Sequence, residues 1–432
     1  MSKTRVFSLI AVSVFIIALE TVSGPIRMVT GVLILNTYVT WILNFIILFI
    51  WFKGIRLYTN KRQIRSMMLL QILLLWYVFS IIRGVFIADD YWTAKVLVHN
   101  TFGLLLPVAA YSLTNLKVLQ SLLRVYLLYT LPLFLIFIFI IPPDTLGRFL
   151  ILVSVLLLFF PVLSKRIKWV VGVFALIALT ADISARGKTL TFAIPFLLVV
   201  GYYYRHFIPT ILWEWIRKIL MIAPIVLFTL AITGVFNVFK MEEYIQGDYT
   251  NKSIKNGEVT KENLLADSRT FLYEEVLLSA LVNNYWLIGR SPARGNDTLQ
   301  WESQTEISGK NERFGNETGI LNIFTWTGII GVILYLLVFY RATYIAVNKS
   351  NNIFSKMIGI FLAFHWLWSW VSEFSAFDLS YLSIWILVAF SFSETFRSMT
   401  NNEVKYWVRG ITDKRYKYGM FIMNKSKILK WK

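Results

Sequence analysis

The chain contains no cysteine. Disulfide bridges, thiol nucleophiles and cysteine-ligated zinc are therefore excluded. Histidine is scarce, three residues in 432, and the three are scattered without an acid cluster to complete a metal site. Charge is sparse as well, Asp, Glu, Lys and Arg together making only 16% of the chain. Also missing is the alternation of apolar and polar residues, over segments of about ten, that a transmembrane β-barrel needs. Nor is there a nucleotide-binding loop. The string Gly187-Lys188-Thr189 has the right ending, but the first glycine of that motif would fall on Asp182 and no strand precedes it. No internal repeat or low-complexity tract is present.

Apolar residues are abundant. They make up 57% of the chain, and the mean hydropathy is +0.63. A soluble domain of this size cannot hide that much apolar surface. Long apolar runs recur from one end to the other, among them Val6 to Leu19, Met28 to Phe52, Met67 to Ile82 and Leu131 to Ile141. A helical crossing needs roughly 20 mostly apolar residues. The pattern predicts an all-α polytopic membrane protein of about twelve spans. These fall near 6–22, 28–52, 66–87, 94–113, 118–141, 147–164, 168–183, 188–205, 216–239, 317–340, 356–374 and 379–396. Residues 168–183 and 188–205 read as a short hairpin, and 206–215, with Trp213 and Trp215, as an interfacial segment. The first apolar run reads as a retained helix, since no small-x-small cleavage site precedes Glu20.

The net charge of +19 would suit nucleic acid, but its distribution points to a membrane. Residues 53–65 carry five Lys or Arg and no acid, and the tail 397–432 carries ten against two acids. Such clusters beside spans mark the cytoplasmic side, where they also meet anionic lipid. The connections at 165–168, 205–218 and 341–356 are likewise basic, whereas Asp89-Asp90, Pro142-Pro143-Asp144 and Glu373 to Asp378 fall on the opposite side. The expected topology places both termini in the cytoplasm. One connection is unlike the rest: residues 240–316 form a long polar loop, predicted to be extracytoplasmic, with twelve acids and nine bases over 240–315. Within it, Phe271, Leu272, Val276, Leu277, Ala280 and Leu281 recur at helical spacing, so Ser268 to Tyr285 reads as a helix capped by Asp267 or Ser268.

Three outer groups could carry chemistry. The first is Asp182-Ile-Ser-Ala-Arg186-Gly-Lys188-Thr189, either a polar turn with snorkelling cations or an anion site with a forked donor and a glycine for close approach. The second lies in the long loop, Asp267-Ser-Arg269 and then Gly289-Arg290-Ser-Pro-Ala-Arg294-Gly295, either solvated charge or further anion-binding cations. The third is Asn316-Glu317 at the loop's return, where Glu317 is either a helix-start acid or a general base. His99 and His365 fall within predicted spans and read as packed, hydrogen-bonded residues. Trp286 and Trp301 are loop aromatics that span-edge packing explains as well as sugar stacking does.

Three elements in order resemble the O-antigen polymerase and O-antigen ligase family. They are Ser184-Ala-Arg186-Gly187 at an outer turn, Ser268-Arg269 opening a helix that leads to Leu287-Ile-Gly289-Arg290, and Asn316-Glu317-Thr-Gly-Ile-Leu-Asn through Gly328-Ile-Ile-Gly331. The layout, one large outer loop before the last three spans, is similar over most of the chain. Ala185 interrupts the family's Ser-Arg adjacency, and Glu317 stands where the ligases carry a histidine, which favours polymerase over ligase. The resemblance implies glycosyl transfer at the outer face of a bacterial inner membrane, without metal or cofactor. The donor it implies is a polyprenyl-diphosphate-linked glycan. Arg186, Arg269 and Arg290 would hold the diphosphate, Lys188, Arg294 and Asn316 would contact substrate, and Glu317 would deprotonate the acceptor. The acceptor is a lipid-linked repeat unit in a polymerase and lipid A-core in a ligase. Membrane lipid, a chain-length regulator and a flippase are the implied partners, and nucleic acid is not. A lipid-linked oligosaccharide flippase or another transporter is the competing reading, and it would show charged or broken spans near the middle of the bilayer. A receptor that uses the loop only for binding is the third.

Overall fold

The computed structural model describes residues 2–31, 34–140, 143–180, 186–244, 250–255, 258–263, 267, 269–298, 309–372, 375–413 and 415–416. It is an α-helical membrane protein. Among the described residues, seven helices are long and apolar enough to cross a bilayer, and three apolar helices are shorter. The elements used below are α1 (Lys3–Thr30), α2 (Thr37–Tyr58), α3 (Met68–Ile87), α4 (Tyr91–Leu105), α5 (Thr210–Ile232), α6 (Thr270–Val282), α7 (Gly319–Asn348), α8 (Ile353–Trp368) and α9 (Leu379–Phe392).

Helix α9 is the hub. All fourteen of its residues are buried, although its sequence is as apolar as that of any lipid-facing span. It packs against α1, α7 and α8. The rim helices α2, α3 and α5 instead turn Phe45, Leu75, Phe86 and Ile219 outward. Exposed apolar side chains in this number, all around the helical bundle, are what hydrocarbon solvates and water does not.

Polar connections gather at two ends. At one, the Tyr58 hydroxyl donates to the Lys3 carbonyl, Arg62 pairs with Glu394 at 2.9 Å, and the Trp407 indole donates to Leu116. At the other, Lys310 bridges Asp89 at 2.6 Å and Asp90 at 2.8 Å, and Asn100 donates to the Pro292 carbonyl. The first end carries the basic clusters seen in the sequence and the second carries the long loop.

Several expected boundaries move. The apolar run from Met28 to Phe52 is not one span. Helix α1 continues to Thr30 and stops at Gly31, whose φ is 71°, and α2 starts only at Thr37, with Asn36 accepting from the Val39 amide. The turn is set by these caps, and hydropathy does not register it. Helix α5 begins at Thr210, so Trp213 and Trp215 belong to its first turns and not to a separate interfacial segment. The returning helix starts at Gly319 and extends to Asn348, leaving Glu317 just outside it. In the loop, the expected helix is present as α6, and the Asp267 carboxylate caps it by accepting from the Arg269 and Thr270 amides. The loop also forms a two-stranded antiparallel ribbon, β1 (Thr250–Lys255) with β2 (Glu258–Asn263).

Candidate active site at the loop-bearing end

The loop is anchored by a break in α7. Gly328 sits at φ 68° and ψ −173°, and the segment after α6 threads into the gap. Arg290 N donates to the Thr325 carbonyl at 2.7 Å, and Ile329 N donates to the Trp286 carbonyl at 2.8 Å. The backbone groups freed by the break are thus satisfied by the loop, as they must be at membrane depth. Gly289 (φ 73°) meets Gly328 here, and a Cβ on either would strike the other's backbone. From α3, Arg83 donates to the carbonyls of Ile288 at 2.7 Å and Gly289 at 3.0 Å, and the Trp76 indole donates to Thr327.

This anchor places the loop arginines. Arg290 donates to the Gly295 carbonyl and to Asp297 at 2.7 Å, and lies 3.3 Å from Glu312. Arg294 grips Glu312 through Nε at 2.9 and 3.0 Å, with Nη2 on the same carboxylate. Glu312 is only 5% exposed and also accepts from the Gly295 amide. Hydrogen bonding from Glu312 holds the Arg294 pKa above its ordinary value. Burial alone would raise the Asp297 carboxyl, but hydrogen bonds from Arg290 and Asn283 hold it below the usual range. Arg290 and Arg294, expected to hold diphosphate and substrate, therefore converge, but on protein carboxylates. Their forks are spent on holding the loop.

Arg269 and Glu317 form the more open pair. They meet at 2.7 Å, where the loop returns to the helical bundle, with Glu317 56% exposed and Arg269 25% exposed. Behind them, Arg313 lies 5.5 Å over the Phe271 ring and 3.9 Å from Glu275, and burial lowers its pKa. Asn316 is buried. Its side chain donates to Asn296 at 3.0 Å, and its backbone exchanges hydrogen bonds with the Asn322 side chain, which also reaches Ser375. The expected substrate contact from Asn316 is thus a wall bond in the structure. Arg186 opens a helix, Arg186–Tyr203, but its side chain and that of Lys188 lie outside the described residues, as do Asp182, Ser184, Ser268, Trp301 and Glu373.

A cleft of about 590 Å3 runs between α1, α2 and α4 up to Phe314 and Gly315 of the loop, the latter two residues before Glu317 in the chain. Glu20, Arg27 and Lys95 line it, with Trp41, Trp92 and Trp326. The Asn44 amide, oriented to donate, reaches both Glu20 oxygens at 2.7 and 3.0 Å. His99 opens onto this cleft, contrary to the packed role expected for it, whereas His365 is buried with the Phe361 ring 4.5 Å away. Sequence reasoning passed over Glu20, Asn44 and Arg83. A carboxylate inside an apolar run was the available signal, because such a group is costly there without a purpose.

Fold and site together define a polytopic helical membrane protein with an ion-paired carboxylate and a charged, indole-lined cleft at one end. No protein-family model matches the chain, and no curated protein or solved structure does.

Proposed function

We propose that this protein is a surface-polysaccharide polymerase that works at the outer face of a bacterial inner membrane. The observation that carries the reading is the Arg269–Glu317 ion pair at the loop's return, solvent-reachable and two residues along the chain from Gly315, which lines an open cleft. The acceptor hydroxyl oxygen attacks the anomeric carbon of the donor glycan. The bond from that carbon to the diphosphate oxygen breaks, and its electron pair leaves with the polyprenyl diphosphate. Glu317 takes the hydroxyl proton, and Arg269, released from the carboxylate as substrate enters, faces the departing charge. The acceptor is a second lipid-linked repeat unit.

Twelve crossings with both termini in the cytoplasm fit this reading. The two-ended sorting of polar connections, basic clusters together and loop opposite, supports the sidedness in this reading. A reporter fused after residue 275 is expected to read as extracytoplasmic and one after residue 60 as cytoplasmic. The reverse result would remove the catalytic assignment.

A transporter is the second reading, and the break in α7 at Gly328 together with Glu20 inside α1 favours it. Reconstitution separates the two. Purified protein in proteoliposomes, given a polyprenyl-diphosphate-linked repeat unit on its outer side only, is expected to yield polymer without ATP. Movement of that substrate between leaflets with no polymer would establish transport instead.

A further inference from the structure

The cleft between α1, α2 and α4 holds charge that the protein does not use on itself. Neither Arg27 nor Lys95 has a carboxylate within ion-pair reach among the described residues. The Lys95 ammonium rests 4.8 Å over the Trp92 ring, which orients it and leaves its hydrogen bonds open. Glu20 has the Asn44 amide and no cation partner among the described residues. A site that keeps cations and a carboxylate apart in one cleft is arranged for a ligand that supplies both complements.

The groups stand at different depths. Glu20 and Arg27 are seven residues apart on one helix, about 10 Å along its axis at about 1.5 Å per residue. Arg27 is three residues from the end of α1, and Lys95 lies in the second turn of α4, so both are near the loop-bearing rim. Glu20 forms the floor, with Asn44 behind it in the wall. Indoles of Trp41, Trp92 and Trp326 line the space between floor and rim. Flat apolar faces beside hydrogen-bonding groups suit a sugar ring, and forked or ammonium donors at the rim suit phosphate oxygens.

We propose that this cleft is the seat of the membrane-borne substrate, a sugar joined through phosphate to a lipid. Arg27 and Lys95 hold the phosphate, the three indoles flank the first sugar, and Glu20, oriented by the Asn44 amide behind it, accepts hydrogen bonds from its hydroxyls. The proposal rests on the polymerase reading for the nature of the lipid. It gives the phosphate a site that the loop arginines, spent on Glu312 and Asp297, do not offer.

Direct binding to full-length protein in nanodiscs tests this, read by quenching of tryptophan fluorescence. Three probes are compared: a short-chain polyprenyl diphosphate carrying one sugar, the same polyprenyl diphosphate without sugar, and inorganic pyrophosphate. Arg27→Ala with Lys95→Ala is expected to weaken both lipid probes at least about tenfold, the loss of one charge-assisted contact. Glu20→Gln is expected to weaken the sugar-bearing probe alone, by about fivefold, the cost of a single hydrogen bond. Tight pyrophosphate binding that survives without lipid would identify a free anion as the ligand and overturn the lipid assignment. Wild-type affinity in the double variant would overturn the site. Glu317→Gln is the control. It should bind both lipid probes normally, so polymer lost with binding kept tests the reaction, and binding lost in the cleft variants tests the seat. If wild-type protein binds the probes but makes no polymer, the polymerase reading fails and the seat stands.

Discussion

The loop and the cleft use the same kinds of residue to opposite ends. In the loop, Arg290 and Arg294 close on Glu312 and Asp297, and every fork is consumed inside the protein. In the cleft, Arg27, Lys95 and Glu20 share one space without meeting. The difference follows from geometry. The loop must be held at membrane depth against a broken helix, where an unpaired cation is costly, so neutralisation there is structural. The cleft is open, and among the described residues no ion pair closes across it. An arginine at the loop-bearing end is therefore informative about ligand binding only once its partners are known. The Arg269–Glu317 pair lies between the two cases, ion-paired yet reachable.

Substitutions can break this contrast. The largest effect is expected from Glu317→Gln, which removes the proposed base while keeping its size. Loss of a general base costs on the order of 100- to 10,000-fold in rate, so polymer formed by purified protein should all but vanish. Normal polymer would place Glu317 with the structural carboxylates, as the holder of Arg269.

Glu312→Ala acts on the structural side. It leaves the half-buried Arg290 and Arg294 without their shared acid; breaking a fully buried pair costs about 3–5 kcal/mol, and this one costs less because both arginines reach solvent and Arg290 keeps Asp297. The loop is expected to lose protease protection and the protein to unfold at lower temperature. Unchanged protection would show that Asp297 alone suffices.

Arg269→Lys sharpens the middle case. Lysine keeps the charge but not the fork, so a fall of about tenfold in transfer rate, with stability retained, is expected if the residue faces a phosphate oxygen. Equal rates would reduce Arg269 to a charge.

The smallest effect concerns pH and the rim. Hydrogen bonding from Lys310 depresses the pKa values of Asp89 and Asp90, and Asp297 is depressed as well. A carboxyl depressed in the folded state stabilises it above the unfolded pKa, near about 4, and that contribution is lost as pH falls through the folded value. Loop proteolysis should thus be flat from neutral pH to about pH 5 and rise only below about pH 4. Lys310→Ala removes the main cause of the Asp89 and Asp90 depression, so it should raise loop proteolysis already at neutral pH and flatten the acid rise, without altering polymer length. A rise centred near neutral pH would implicate another group.

Hydropathy and charge placement alone determined the class. Apolar runs must be buried in protein or lipid, and Lys and Arg clusters settle beside spans on one side, so α-helical membrane architecture and the distinct long loop were legible residue by residue. The loop helix and its Asp267 cap were legible for the same local reason. Three things were decided only in three dimensions. The end of α1 depends on caps inside a continuous apolar run, which hydropathy averages away. The break at Gly328 needs Gly289, thirty-nine positions earlier, to fill it, and neither glycine declares its partner. Whether a charged residue is spent or available depends on the distance to its counter-ion. Arg290 and Lys95 look alike in the sequence, and they differ because Glu312 reaches one and no carboxylate among the described residues reaches the other.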